Sequence, residues 1–211
     1  MTLYKGSQKI RDTGDYGVYK GSQPIDAIYK GSQLVYLHEH YEPQTTLVSI
    51  TNGNTQTITL PDGVYQIYIA GGGGNVANWV AGGYFWTAGG GSGGAVEGMF
   101  YNPETASFTF TAGAANQNST ATRAGTTIIT CNKGGNGGIG GGGSGGTASF
   151  TGIDNVSLVA TNGNTGGNVQ AGTNRTGGNS VSSKKWGSGT VIRDGGVHYG
   201  GVIVQYIRRL R

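Results

Sequence analysis

The chain has 211 residues, of which 44 are glycine, 35% are apolar and only 11% are charged. This balance predicts a thin apolar core, and the low charge excludes the highly charged type of disordered chain. A net charge of +4 spread along the chain predicts no nucleic-acid surface, and the single cysteine, Cys131, excludes an intrachain disulfide. No apolar run approaches the length of a membrane span, so we expect no membrane insertion. The first residues also lack the pattern of a secretory signal.

An internal repeat occupies the first forty residues. The sequence Tyr-Lys-Gly-Ser-Gln begins at Tyr4, Tyr19 and Tyr29, each time after an apolar residue, which predicts a strand, a tight turn and a second strand. Units this short cannot bury an apolar face alone. We therefore expect residues 1–40 to be a small β-repeat region that attaches the chain to a partner or assembles copies of it, through these tyrosines. The alternative is a small β-meander fused to the main domain.

Two histidines follow the repeats. His38 and His40 would point the same way on a strand, so three chains could direct six imidazole nitrogens at a metal ion on a three-fold axis. The simpler interpretation, which we favour, is a polar linker, and we expect no bound metal. We also expect no enzyme activity and no cofactor. The matches to nucleotide-binding and hydrolase motifs are those that such glycine-rich sequence produces by chance.

Residues 41–211 predict one glycine-rich, all-β domain of β-sandwich or jelly-roll type. Apolar and polar residues alternate in short runs between turn residues, and no window has helical periodicity. The Asn102-Pro103-Glu104-Thr105 sequence predicts a turn. The predicted strands are 46–50, 56–60, 64–70, 95–101, 107–112, 126–130, 148–151, 156–160 and 201–207.

Glycine runs interrupt these strands at 71–74, 89–94 and 134–146, with a looser run over 162–201. Such runs are usually flexible linkers, and that interpretation stays open for the later run, which is rich in Asn and Thr. The run from Gly134 can also be read in groups of three residues, the repeat of an extended left-handed helix. We therefore consider ordered polyglycine II segments as part of the fold.

Aromatic residues in the glycine-rich loops are the candidate binding residues. Trp79, Tyr84, Phe85 and Trp86 fall between the first two runs, without an alternation that would bury them, and the later loops add Trp186, His198 and Tyr199. Rigid aromatic side chains bind with little loss of entropy, which is typical of recognition loops. The alternative is that these rings cap the ends of a thin core.

The order of these features resembles that of glycine-rich bacteriophage tail-fibre and adhesin domains. The resemblance rests on the strand 59–70 that runs into the first glycine run, on Gly94 to Tyr101, on Ala106 to Gly113, and on the closing strand His198 to Ile207. The Tyr-Lys-Gly-Ser-Gln repeat also resembles short N-terminal repeats of phage structural proteins. The resemblance implies a homotrimeric virion protein, exposed to the extracellular medium, that contacts other virion proteins and a bacterial polysaccharide or outer-membrane protein.

Three functions are compatible with the sequence. The first, which we favour, is a non-catalytic receptor-binding adhesin on a phage fibre or tail tip. The second is a virion structural or capsid-decoration protein without a receptor. The third is a cellular ice- or polysaccharide-binding protein, which predicts flat rows of threonine on a bundle of glycine helices.

Overall fold

The computed structural model describes residues 45–167 and 199–207 in full. Outside them it describes the backbone of short strands at 3–5, 8–10, 18–20, 23–25, 27–30, 33–37, 170–171, 185–186 and 190–191, and of residue 208. The chain divides into two compact units, Met1–Glu42 and Pro43–Arg211. The described residues contain strands and turns but no helix, which confirms the predicted all-β class, and none of them belongs to a helix able to cross a membrane.

The first unit is a series of three hairpins, one for each sequence repeat. The strand pair of each hairpin ends at Lys5 with Gln8, Lys20 with Gln23, or Lys30 with Gln33. The two strands predicted for each repeat are therefore confirmed. The strands are β1 (Leu3–Lys5), β2 (Gln8–Ile10), β3 (Val18–Lys20), β4 (Gln23–Ile25), β5 (Ala27–Lys30) and β6 (Gln33–Leu37).

The second unit contains two larger antiparallel sheets. The six-stranded sheet has the order β17-β12-β9-β22-β7, with β18 also beside β12, and the five-stranded sheet has the order β16-β15-β14-β13-β8. The strands of the six-stranded sheet are β7 (Thr45–Thr51), β9 (Gly63–Ala70), β12 (Ala95–Asn102), β17 (Asp154–Asn155), β18 (Val159–Thr161) and β22 (Gly201–Arg208). Those of the five-stranded sheet are β8 (Thr55–Leu60), β13 (Ala106–Thr111), β14 (Ser119–Arg123), β15 (Thr126–Cys131) and β16 (Ala148–Phe150).

Shorter strands complete the unit. β10 (Ala77–Ala81), β11 (Tyr84–Ala88) and β19 (Gln170–Ala171) form a three-stranded sheet, and β20 (Lys185–Trp186) pairs with β21 (Thr190–Val191).

One apolar core lies between the two large sheets. Tyr65, Phe100, Phe108 and Phe110 are fully buried, and their rings follow one another at centroid distances of 5.6, 5.9 and 6.0 Å. Tyr65 and Phe100 come from the six-stranded sheet, and the other two rings come from the five-stranded sheet. Such aromatic chains contribute burial and favourable ring geometry together. The core thus fastens the two sheets into a sandwich.

Most of the predicted strands are present, but of the strand predicted at 156–160 only residues 159 and 160 lie in a strand, β18. The chain leaves the sheet between β17 and β18, where the Asn155 side chain accepts a hydrogen bond from the Leu158 amide at 2.6 Å. Asparagine commonly forms such local bonds in place of a strand ladder. Opposite this turn Gly98 has a φ of +125°, and its neighbour Met99 accepts two backbone hydrogen bonds from the turn.

Five strands continue directly into five glycine segments. We name these segments I (71–75), II (89–94), III (132–138), IV (142–147) and V (162–167), and they adjoin β9, β12, β15, β16 and β18 respectively. Within each sheet the strands give way to glycine segments at the same level along the sheet. Ala70, Ala95 and Thr161 are paired across one sheet, and Cys131 and Ala148 are paired across the other. The segments therefore form a bundle at one end of the sandwich.

The bundle is held by backbone hydrogen bonds with a period of three residues. The amides of Gly91 and Gly94 in segment II donate to the carbonyls of Gly135 and Asn132 in segment III, at 2.8 and 2.9 Å. The same spacing recurs wherever two segments are bonded, and segment II bonds to all four others. Three residues per turn, with bonds only between neighbours, is the arrangement expected of polyglycine II helices. The ordered segments considered from the sequence are thus present.

Side-chain exposure follows the same period. Lys133, Asn136 and Ile139 are exposed along segment III and the turn after it, and Ser144 and Thr147 are exposed along segment IV. Most glycines between them face neighbouring segments, where little room remains, although Gly138 at the end of segment III lies in open space. A Cβ atom at Gly134 would overlap the Gly91 carbonyl, and one at Gly91 would overlap the Ser144 carbonyl. Glycine is therefore required at these positions by close backbone approach.

We predict that Gly134→Ala destabilises the protein because its methyl group has no room between segments II and III. We expect a loss of about 3 kcal/mol, which lowers the thermal midpoint by roughly 6–12 °C in a unit of this size. The measurement is thermal unfolding followed by circular dichroism.

The matched control is Gly140→Ala in the same glycine run, where an added Cβ meets no atom within 4 Å. Its midpoint should stay within about 2 °C of the wild type. Equal midpoints for the two variants would contradict the close packing of the segments.

Candidate functional site

The glycine segments lead from the sheets to one end of the second unit. Segment I is joined to segment II through residues 76–88, segment III to segment IV through residues 139–141, and segment V leads away from the sheets in the same direction. At a rise of about 3.1 Å per residue, the segments extend roughly 15–22 Å beyond the sheets. We call this end the tip. The chain enters the second unit at the opposite end, since Thr45 pairs with Tyr206 rather than with Gly201.

The connection between segments I and II is a regular β-hairpin. β10 and β11 pair without a bulge, and Gly82 and Gly83 form the two-residue turn with φ values of +59° and +78°. Both values lie in the left-handed region that this turn requires, and glycine adopts it without strain. We call residues 77–88 the tip hairpin. On the described backbone, β19 pairs with β11.

Apolar side chains are exposed on both faces of the tip hairpin. The pairs Val80–Phe85 and Ala81–Tyr84 are adjacent across the strands, so Phe85 and Tyr84 project to opposite faces. Val80 is 71% exposed, Tyr84 is 65% exposed and Phe85 is 46% exposed. Large apolar side chains that remain accessible together in this way are typical of interaction sites.

Trp79 and Trp86 form the base of the same hairpin. They are directly opposite each other across the strands, on the same face as Tyr84, and both are half-buried. The indole N–H of Trp86 donates to the Ala81 carbonyl at 3.1 Å. This bond holds one tryptophan in place and supports the exposed residues beyond it.

The structure therefore brings together four of the predicted binding residues but corrects their setting. Trp79, Tyr84, Phe85 and Trp86 lie on paired strands, not in a glycine loop. The sequence contained the signal for this hairpin, because Gly82-Gly83 separates two runs rich in large β-forming residues. Sequence reasoning also missed two exposed apolar residues at the tip, Val80 and Ile139, the latter 79% exposed in the turn between segments III and IV.

The other predicted residues are not part of this cluster. Tyr199 is 38% exposed and precedes Gly200, whose amide bonds to Gly113 at the level where the segments begin. Trp186 lies in β20, where only the backbone is described. His198, His38 and His40 lie outside the described residues. Tyr4, Tyr19 and Tyr29 lie in the first strands of the three repeat hairpins.

A small cavity lies at the end of the sandwich opposite the tip. Its volume is about 50 Å³, and its lining includes Asn102, Arg123 and Asp154. The two amide hydrogens of Asn102 are shared among three carbonyl oxygens, those of Leu60, Pro61 and Glu104, at N···O distances of 3.0, 2.8 and 2.6 Å. These hydrogen bonds hold the turn after β12 in place. A cavity of this volume can hold one or two water molecules.

Reactive groups are sparse in the described part of the molecule. Cys131 is buried, its thiol donates to the Ile69 carbonyl at 3.3 Å, and burial raises its pKa to about 12. The nucleophilic thiolate is therefore scarce at neutral pH. Among the described residues no three His, Cys, Asp or Glu side chains are grouped to hold a metal ion.

Compared with known proteins, the sequence matches no described protein family and no curated protein.

Proposed function

We propose that this chain is a non-catalytic adhesin of a bacteriophage virion, at the tip of a tail fibre or a similar appendage, and that its tip hairpin binds a bacterial surface receptor. The observation that carries the proposal is the position of Val80, Tyr84 and Phe85. These exposed side chains stand on a regular hairpin at the end of a hydrogen-bonded bundle, far from the point where the chain enters the unit.

The bundle supports this proposal because it limits the entropy lost on binding. A recognition hairpin on flexible linkers would have to be ordered each time it binds, at a cost to affinity. Here the residues on both sides of the hairpin are already fixed, since Gly74 donates to Gly91 at 2.9 Å and Gly89 donates to Gly167 at 3.0 Å. Rigid aromatic side chains on a rigid support are well suited to recognition.

The first unit supports a role in attachment, because hairpins this short cannot bury an apolar face alone. We propose that the repeats in residues 1–40, with Tyr4, Tyr19 and Tyr29, bind other virion proteins. We further propose that the protein is a homotrimer. Three copies would present three tips at once, so weak binding by a single hairpin would suffice.

Two alternatives make different predictions. A virion structural or capsid-decoration protein would not depend on the tip hairpin for its function. A cellular ice- or polysaccharide-binding protein would carry threonine rows on the bundle, whereas the described outer positions of segment III are Lys133 and Asn136, followed by Ile139. The adhesin proposal accounts for the exposed hairpin, and the alternatives do not.

We predict that replacing Tyr84 and Phe85 by serine reduces binding to bacterial cells. The fluorescently labelled full chain is applied to a panel of bacterial strains, and the strain that binds it best is used for titration. Loss of two central aromatic contacts should raise the apparent Kd about tenfold or more.

The matched control is Val159→Ser, which removes an exposed apolar side chain, 56% accessible, from β18 of the sandwich. It should bind as the wild type does. Equal binding by the double serine variant, or no binding of the wild type to any strain of the panel, would contradict the adhesin proposal and favour a structural virion protein.

We also predict a trimer in solution. Light scattering of the purified full chain should give three times the chain mass of 21.6 kDa. A mass equal to that of one chain would show that any symmetry is imposed by the particle rather than by the chain.

A further inference from the structure

The outer strand of the tip hairpin is β10, which lies at one edge of a three-stranded sheet. The three-stranded sheet has the order β10-β11-β19, so β11 is paired on both sides. On the other side of β10, none of the strands that the structure describes is paired with it. A free edge offers a row of backbone donors and acceptors to another extended chain.

The register shows which backbone groups face outward. In a hairpin with a two-residue turn, the residues next to the turn form a hydrogen-bonded pair, and such pairs alternate with pairs that are not bonded. Ala81 with Tyr84 and Trp79 with Trp86 are therefore the bonded pairs. The amides and carbonyls of Asn78 and Val80 are directed away from β11, at the free edge.

Nothing in the sequence of this hairpin protects the edge. Proteins commonly prevent unwanted pairing with an edge lysine, a proline or a bulge. Residues 77–88 contain no charged residue and no proline, and the pairing of β10 with β11 is continuous. Val80, in the middle of the open edge, is also one of the most exposed apolar residues described.

An extended peptide fits this edge on both faces. A strand added beside β10 would place alternate side chains against Val80 and Phe85 on one face, and against Trp79 and Tyr84 on the other. A carbohydrate could stack on the aromatic rings, but it would not match the regular spacing of the backbone donors and acceptors along β10, whereas an extended peptide does. The combination of an open backbone edge with apolar faces therefore favours a protein partner.

We propose that the free edge of β10 binds an extended peptide segment of a bacterial surface protein by strand addition. This inference rests on the proposed adhesin function and names the class of its receptor. Main-chain hydrogen bonds from Asn78 and Val80 supply the binding energy, and the apolar side chains on the two faces select the sequence.

The test separates the backbone of Val80 from its side chain. Val80→Pro removes the outward amide, at an edge position where proline is tolerated, whereas the control Val80→Ala removes most of the side chain but keeps the amide. Both are prepared in the full chain, and the coupled circular dichroism signal of Trp79 and Trp86 checks that the hairpin is retained. If proline abolished that signal, Val80→Lys, which places a charge on the edge, would replace it.

Binding is measured on the strain selected with the wild type, before and after the cells are treated with proteinase K or with periodate. Strand addition predicts that Val80→Pro weakens binding about tenfold, that Val80→Ala weakens it about threefold or less, and that proteinase K but not periodate abolishes it.

Equal binding by the proline and alanine variants would overturn the proposal, as would binding that only periodate abolishes. The wild type could instead self-associate through this edge. If Val80→Pro removed that self-association, and if it competed with binding to the cells, the occupant would be a second copy of this chain and the proposal would be overturned as well. Failure of the wild type to bind any strain would refute the adhesin function itself.

Discussion

The structure depends on backbone hydrogen bonds between glycine segments. Glycine loses more conformational entropy on folding than any other residue, and 37 of the 44 glycines lie beyond residue 70. Side-chain burial offsets little of this loss, because a glycine has no side chain to bury. The compensation comes from amide-to-carbonyl bonds such as Gly91 to Gly135 at 2.8 Å, repeated every third residue, and from the close contact that the missing Cβ atoms permit.

The bundle also explains how the sandwich and the candidate site are connected. Each segment continues a strand whose position is fixed by the aromatic core, so the ordered sheets set where the segments start. At the junction Ser119 accepts from Gly113 at 2.8 Å and donates to Ala70 at 2.6 Å, which joins the two sheets where the bundle begins. The tip hairpin is therefore held in place from both sides, by segment I before it in the chain and by segment II after it. A recognition element needs this combination of a rigid support and exposed side chains.

The sequence predicted the parts of the fold that depend on local pattern. Alternation and turn residues located β9, β12 and β13 to within one or two residues, and the three Tyr-Lys-Gly-Ser-Gln repeats predicted their hairpins. The first three residues of the strand predicted at 156–160 form a turn instead, because the Asn155 side chain competes with the ladder for the Leu158 amide. The arrangement of the glycine segments was beyond prediction, since their neighbours are set by contacts between residues such as Gly89 and Gly167, far apart in the sequence. The hairpin turn at Gly82-Gly83 could be read from the sequence, but the position of the hairpin at the end of the bundle depends on these distant contacts and could not.

Amide hydrogen exchange of the glycine segments tests the central claim most directly. If the segments form one hydrogen-bonded bundle, the amides of Gly91, Gly94, Gly134 and Gly143, which all donate to neighbouring segments, should exchange as slowly as those of β9 in the sandwich. The amide of Gly140, in the turn between segments III and IV, provides the fast reference. Exchange of all these glycines at the rate of an unstructured chain would contradict the bundle, and with it the rigid support of the tip hairpin.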